Sequence, residues 1–283
     1  MPKITLEINP LQADIHVLRD GLTAYNVAKV PQLLDLPGGD VAIIARGPNK
    51  QVIGGAIGEY SWGWLYIDTL WVDRAYRTQG LGGQLLSAIE QYAYQQGIPA
   101  SYLMTTSFQS KPFYEKRGYC CVGQNENRPR GHTMYFLQKE LASVESVPEF
   151  EVQSPPHHNT LYWIDTQFKE GTADIAPLDN QKMAVFLRGD DDEVLGGLFG
   201  GVFWDWLDLR LVWIDQAYRG KGYARRLLQI AEDECRNMGV YGIVADTANF
   251  QSIDFYEAMG FNVFGTLANR PPGYESYLIQ KHL

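Results

Sequence analysis

Two short segments carry the residue types and spacing needed to hold a phosphate. Arg77, Thr78, Gln79, Gly80, Leu81 and Gly82 follow the strand-like run Leu70, Trp71, Val72. Arg219, Gly220, Lys221, Gly222, Tyr223 and Ala224 follow Val212, Trp213, Ile214. In each, a strand ends, a short loop turns and a helix begins on small residues. Unpaired amides at a helix N-terminus bind anions, and the helix dipole favours the negative charge. Glycine lets that backbone come close without a Cβ in the way. A glycine-rich turn with no ligand reads the same way at a single place, but here the pattern occurs twice. A dinucleotide-binding fold is not indicated, because G-x-G-x-x-G is absent and the loop follows an antiparallel hairpin.

The two segments belong to a duplicated unit. Val52–Leu141 falls on Val194–Leu283 without a gap. About 34 identities occur over about 90 positions, where chance gives roughly five. Trp62, Trp64 and Trp71 meet Trp204, Trp206 and Trp213, and Asn127-Arg128-Pro129 meets Asn269-Arg270-Pro271. A period this long means two complete domains rather than solenoid repeats of about 20–50 residues. The boundaries expected are 1–143 for the first, a linker over 144–156 rich in serine and proline, and 157–283 for the second, whose first strand starts near 148.

Within one repeat the pattern predicts a strand at Ile4–Ile8 and helical segments over Asp14–Leu36, interrupted near Gly21 and Pro31. Strands follow at Val41–Arg46, Val52–Tyr60 and Trp64–Val72, then a helix from Gly80 that ends at Gly97. Ser101–Thr105 is a strand, Ser110–Arg117 a short helix, and Tyr119–Gly123 with Thr133–Lys139 a terminal hairpin. This is an α/β architecture, a mixed sheet covered by helices, built twice.

Composition bounds the function. The 283 residues are 45% hydrophobic and 20% charged, enough to build a core in each half. A net charge of −9 argues against a general nucleic-acid or anionic-membrane binder, since both need a basic surface. Three cysteines make no disulfide framework, and His157-His158 without further spaced ligands makes no metal site. The N-terminal residues interleave charge with short apolar runs, and no apolar stretch approaches about 18 residues, so the expectation is a soluble, cytoplasmic protein with no membrane partner.

The loops resemble those of the GNAT superfamily of acetyl-CoA-dependent N-acetyltransferases. The family's [Q/R]-x-x-G-x-[G/A] turn is matched by Arg77–Gly82 and Arg219–Ala224. Its F-Y-E-K-x-G-[F/Y] phrase is matched by Phe113–Tyr119 and, more loosely, by Phe255–Phe261. The resemblance implies two tandem GNAT-type domains, each a mixed, mostly antiparallel sheet splayed at a bulge and flanked by helices. It implies that acetyl-CoA is the co-substrate, with pantetheine held along Leu70–Val72 and Val212–Ile214. The pyrophosphate would then sit on the amides of Thr78, Gln79, Gly80, Leu81, Gly82 and Gly83, and of Gly220, Lys221, Gly222, Tyr223, Ala224 and Arg225. Asn249 fills a cofactor-contacting place where the first repeat has Ser107. The cations Lys221, Arg225 and Arg226 make the second cradle the tighter anion site.

Direct attack of a neutral amine on the thioester follows from the same resemblance. Tyr114 and Tyr256 are the candidates to protonate the leaving thiolate, against a reading as core aromatics. Asp68 and Asp208, on the corresponding face of the fourth strand in each repeat, are candidates for the base, against solvated strand charges. His132 is a further candidate contact. Trp62, Trp64, Trp204 and Trp206 are cross-strand packing or an apolar acceptor wall. The expected function is acetyl transfer to a primary amine of a small molecule, without a metal, in a chain whose two halves pack as an intramolecular pseudo-dimer. One active domain beside a scaffolding copy, or a non-catalytic acyl-CoA sensor, is the alternative.

Overall fold

The computed structural model describes residues 2–143, 148–171 and 181–283, so positions 144–147 of the expected linker lie outside the described residues. The first repeat forms β1 (Lys3–Ile8), α1 (Gln12–Lys29), β2 (Gly39–Arg46), β3 (Val52–Ser61), β4 (Trp64–Val72) and α2 (Leu81–Gln95). It continues with β5 (Ala100–Thr106), α3 (Lys111–Glu115), β6 (Cys120–Glu126) and β7 (Thr133–Glu140). The second forms β8 (Glu151–Gln153), α4 (His158–Glu170), β9 (Gln181–Arg188), β10 (Val194–Phe203), β11 (Trp206–Ile214) and α5 (Tyr223–Asn237). β12 (Gly242–Ala248), α6 (Ile253–Ala258), β13 (Asn262–Ala268) and β14 (Glu275–His282) complete it.

The long helices dock through one face. In α5, Leu227, Leu228, Ala231 and Cys235 are buried, and in α2 Leu85, Leu86, Ile89 and Ala93 take the same places. That spacing is the apolar stripe of a helix lying on a sheet. Gly97 and Gly239, just past the two helix ends, adopt φ values of +81° and +73°, the left-handed turn that glycine allows.

Among the described residues, fourteen strands form one sheet in the order β1-β9-β10-β11-β12-β14-β13-β6-β7-β5-β4-β3-β2-β8. The halves meet where Gly123 of β6 pairs with Gly265 of β13. A Cβ on Gly123 would stand 2.8 Å from the Phe264 carbonyl oxygen, so this close strand approach requires glycine. Two tryptophans pin the junction: Trp64 Nε1 donates to the Asn269 carbonyl (3.1 Å) and Trp206 Nε1 to the Asn127 carbonyl (2.9 Å). Of the two readings open for Trp64 and Trp206, packing is the one their burial and these bonds support.

The sheet order shows an exchange across the repeats. β1 does not pair with β2; it runs antiparallel to β9, from Lys3 opposite Arg188 to Ile8 opposite Met183. β8 in turn pairs with β2. The helices follow their strands: α1 packs on β10 and β11, and α4 on β3 and β4. Leu18 of α1 is fully buried with Ala184 and Phe186, while Ile164 of α4 is fully buried with Ala42, Ile44 and Trp71. Arg188 fixes the exchanged arm, donating to Glu7 (2.7 Å) and Asp14 (2.8 Å). The packing crosses the expected boundaries at 143 and 157 in both directions, and β8 lies within the stretch expected to be linker.

One sequence expectation is corrected inside this arm. The helix is not interrupted near Gly21 but runs unbroken from Gln12 to Lys29. Gly21 is there for close approach: a Cβ would lie 2.2 Å from Cε2 of Trp213. Alanine in a helix interior normally gains about 1 kcal/mol over glycine. Here Gly21→Ala is expected to lose about 1–3 kcal/mol through overpacking, read by chemical denaturation. Among the described residues no helix is long and apolar enough to cross a membrane.

Candidate active site

Each half opens its sheet at the same place. β11 and β12 are parallel neighbours, paired over Trp206–Leu209 with Gly242–Ala245, and then separate. β4 and β5 do the same after Ile67 and Leu103. A bulge starts each opening. Opposite Ile57 and Gly58, β4 carries the extra residue Asp68; opposite Phe199 and Gly200, β11 carries Arg210. A Cβ on Gly200 would stand 2.3 Å from the Asp208 carbonyl oxygen, so the bulge accounts for glycine at that strand position.

Beyond the splay, β11 runs through a short turn into α5. The Asp215 carboxylate accepts from the Ala217 amide (2.8 Å), and Arg219 Nε donates back to the Ile214 carbonyl (2.7 Å). Asp73 and Arg77 repeat both bonds in the first half. The N-cap glycines, Gly80 and Gly222, are left-handed (φ +84° and +78°), and neither helix has a side-chain cap. No side chain therefore claims the first-turn amides of either helix, although in α2 the Gly83 amide donates to the Gly80 carbonyl (3.0 Å). Among the described residues, no atom beyond the adjoining residues lies within 4 Å of where a Cβ would stand on Gly220 or Gly222, which leaves that backbone open to a ligand.

A cleft of about 650 Å³ occupies this region of the second half. Val212, Trp213 and Ile214 form one wall, and Arg219, Gly220, Gly222, Tyr223, Ala224 and Arg225 form the cradle end. Tyr256 stands in the same cleft. Burial, with the charge of Asp246 a smaller cause, pushes its phenol well above the ordinary tyrosine range. The opposite wall is the exchanged helix: Leu22, Tyr25 and Asn26 of α1. Gln251 Nε2 donates to Asn26 Oδ1 (2.8 Å), and the Arg219 guanidinium lies 4.8 Å from the Tyr25 ring centre. Ser61 and Trp62, at the β3–β4 hairpin of the first half, reach in from the side.

Neither this cleft nor the cavity at the junction is lined by Leu70–Val72, by residues 77–83 or by Tyr114. Trp71 is buried edge-to-face on Trp163 of α4 (5.2 Å). The Arg117 guanidinium stacks 3.8 Å over Phe113, with Nη2 2.5 Å from where a Cβ on Gly83 would be. That side chain therefore crosses the start of α2. Burial raises the Tyr114 phenol to about 12, with Arg117 opposing. Trp204, the counterpart of Trp62, is buried among Met134, Phe136 and Leu278, 5.9 Å from Phe108.

The remaining candidates fall elsewhere. Asp68 and Asp208 line the junction cavity and not the cleft that holds Tyr256. Asp208 is ion-paired with Arg128, and Asp68 accepts from the Thr69 hydroxyl (3.0 Å). Lys221 Nζ donates to the Ala217 carbonyl (2.8 Å). Ser107 lies 3.2 Å from His132 Nδ1. Asn249 is exposed, and its amide donates to Glu275. Sequence reasoning missed Leu22, Gln251, Thr247 and Arg270 as cleft residues. The repeated Asn-Arg-Pro phrase was the available signal for Arg270. Nothing local marked Leu22, because its helix serves the other repeat.

A splayed sheet, a glycine cradle at a helix start and a tyrosine in one cleft define an acyltransferase site, and comparison with known proteins agrees. The model of the acetyltransferase (GNAT) family matches residues 17–119 and again 144–261. The chain belongs to the GNAT family and is an acyltransferase enzyme built as a tandem of its domain. It is 37% identical over 101 residues to blasticidin-S acetyltransferase of Streptomyces morookaense, covering 35% of this chain and 74% of that one. An acetyltransferase of Agrobacterium fabrum is 35% identical over 103 residues, 36% of this chain and 75% of its own. Among solved structures, an acetyltransferase from Bacillus cereus is 32% identical with a TM-score of 0.45, covering 47% of this chain and 95% of its own.

Proposed function

We propose that the second half transfers an acetyl group from acetyl-CoA to a primary amine of a small molecule, and that the first half serves as its scaffold within an intramolecular pseudo-dimer. The observation that carries this reading is one cleft in which the splayed backbone of β11, the open cradle of α5 and Tyr256 come together. The relative that acetylates blasticidin S supports a small-molecule acceptor.

Acetyl-CoA bound there would supply an acyl thioester, whose carbonyl the amine attacks directly. The amides of Gly220–Arg225 and the guanidinium of Arg225 would hold its phosphates. Backbone groups of Val212–Ile214, freed by the splay, would align pantetheine as an added strand. As the C–N bond forms and the C–S bond breaks, the Tyr256 hydroxyl gives its proton to the leaving sulfur. Asp246 is the carboxylate that lines both the cleft and the junction cavity, which suits it to take the amine proton.

Calorimetric titration with acetyl-CoA tests the reading through stoichiometry. One site per chain is expected, with coenzyme A released when an amine panel is added. Two sites would overturn the scaffold role of the first half, and no binding would overturn the whole proposal. Arg225→Ala is expected to weaken acetyl-CoA binding about 10-fold at low salt, and less at high salt, where phosphate contacts are screened.

A further inference from the structure

The cavity between the two halves has about 710 Å³ and adjoins the cleft, sharing Leu209, Arg210, Asp246 and Arg270 with it as lining residues. Six carboxylates face it: Asp40, Glu59, Asp68, Asp165, Asp208 and Asp246. Three guanidiniums oppose them, and two of these are committed. Arg128 pairs with Asp208, while Arg270 binds Asp246 (3.2 Å) and the Tyr102 hydroxyl (3.1 Å). Asp165 has its own partner in Lys169 (2.6 Å). Among the described residues, Asp40, Glu59 and Asp68 have no ion pair, and Arg210 is the remaining cation of the lining.

This wall is held at a cost. Glu59, whose side chain is exposed at the cavity surface, titrates above the ordinary carboxylate range through desolvation and then the charges of Asp40 and Asp68, with Arg270 and Arg210 opposing. Asp68, exposed like Glu59, is raised as well, chiefly by desolvation, with the Thr69 hydroxyl and Arg210 opposing. Like charges gathered in a recess are relieved by a cation. A second feature of the same cavity also calls for an occupant. The side chain of Arg128 is 2% exposed, and its Nε, like that of Arg270, is buried without a hydrogen-bond partner among the described residues. Such donors seek a hydroxyl or carbonyl oxygen. The Trp62 ring lies 5.7 Å from the Arg270 guanidinium and 5.8 Å from Phe250, so first-half residues stand where the cavity meets the cleft.

Resting on the function proposed above, we infer that this cavity is the acceptor site, that the first half builds its far wall, and that it selects an amine carrying a second cationic group held by Glu59 and Asp68. One amine then lies at the splay beside Tyr256 while the other is bound across the junction. The first repeat thereby contributes to substrate choice without carrying out the transfer.

Paired acceptors of equal length, 1,5-diaminopentane and pentylamine, test this in steady-state assays of coenzyme A release by the full chain. The wild type is expected to favour the diamine by about 10-fold or more in kcat/KM, the size of one good charge-assisted contact. Glu59→Gln is expected to bring that ratio close to one through KM for the diamine, and Glu59→Asp to restore part of it. Acetyl-CoA titration of each variant reports an intact cleft. Equal use of the two amines by the wild type overturns the inference while leaving the transferase reading intact, as does a Glu59→Gln variant that keeps the full preference. Transfer to neither amine, with no binding of acetyl-CoA, overturns both.

Discussion

Tyr256→Phe is expected to lower kcat by about 100-fold or more, while the affinity for acetyl-CoA measured by calorimetry changes less than about twofold. The substitution removes one oxygen from a ring whose packing against Phe255 and Phe261 is unaltered. Loss confined to kcat would identify a group that acts on the reacting atoms, because uniform binding losses appear in KM. Tyr114→Phe is the internal comparison and is expected to leave turnover within about twofold, since Tyr114 lines neither the cleft nor the junction cavity. The pH profile gives a second check. Burial holds the Tyr256 phenol above its ordinary value, and a raised pKa keeps the proton-bearing form to higher pH. Donation is then lost only as pH rises through that elevated value. The wild-type kcat should show no alkaline fall up to about pH 10, where an unperturbed phenol would already be half ionised. Equal activity of the phenylalanine variant would remove Tyr256 from the chemistry.

Leu18→Asp is expected to abolish acetyl-CoA binding in the second half, although Leu18 lies in the first repeat. Leu18 is completely buried where α1 meets Ala184 and Phe186. A carboxylate there has no partner and costs about 4 kcal/mol or more. Undocking of α1 takes Leu22, Tyr25 and Asn26 from the cleft wall and leaves Gln251 without the Asn26 carbonyl. Ile164→Asp in α4 is the reciprocal case, since Ile164 packs on Ala42, Ile44 and Trp71 of the first half. Thermal melting of both variants, with and without acetyl-CoA, separates loss of the cleft from loss of the chain. Ligand-induced stabilisation retained in Leu18→Asp would show that the exchanged helix is dispensable.

The duplication and the element order were legible in the sequence because each is written locally, whereas the splayed strands were expected only through the family resemblance. Trp, Gly and Phe-Tyr landmarks recur at matching positions, while the glycines opposite the bulge took their meaning only from the strand register. The cradle residues Gly220 and Gly222 and the tyrosine Tyr256 were legible for the same reason, and they do share one cleft. The exchange was not legible. The run Lys3–Ile8 alternates as a strand, but alternation specifies which face is apolar and says nothing about which sheet edge receives it. For the same reason Gly21 looked like a helix break, when its meaning lies in Trp213, far away in sequence. Asp68 and Asp208 were chosen because they lie on the corresponding face of the fourth strand in each repeat; both line the junction cavity, where Arg128 from the first half already claims Asp208.

The crossed arms also bear on redundancy. A tandem duplication ordinarily leaves one copy free to decay, since the other still performs the task. Here each copy lends its first strand and helix to its sibling, so a lesion in either arm is felt in the opposite half. Neither copy can be dropped as a spare. The first repeat supplies its neighbour with a strand and a helix, and receives a strand and a helix in return.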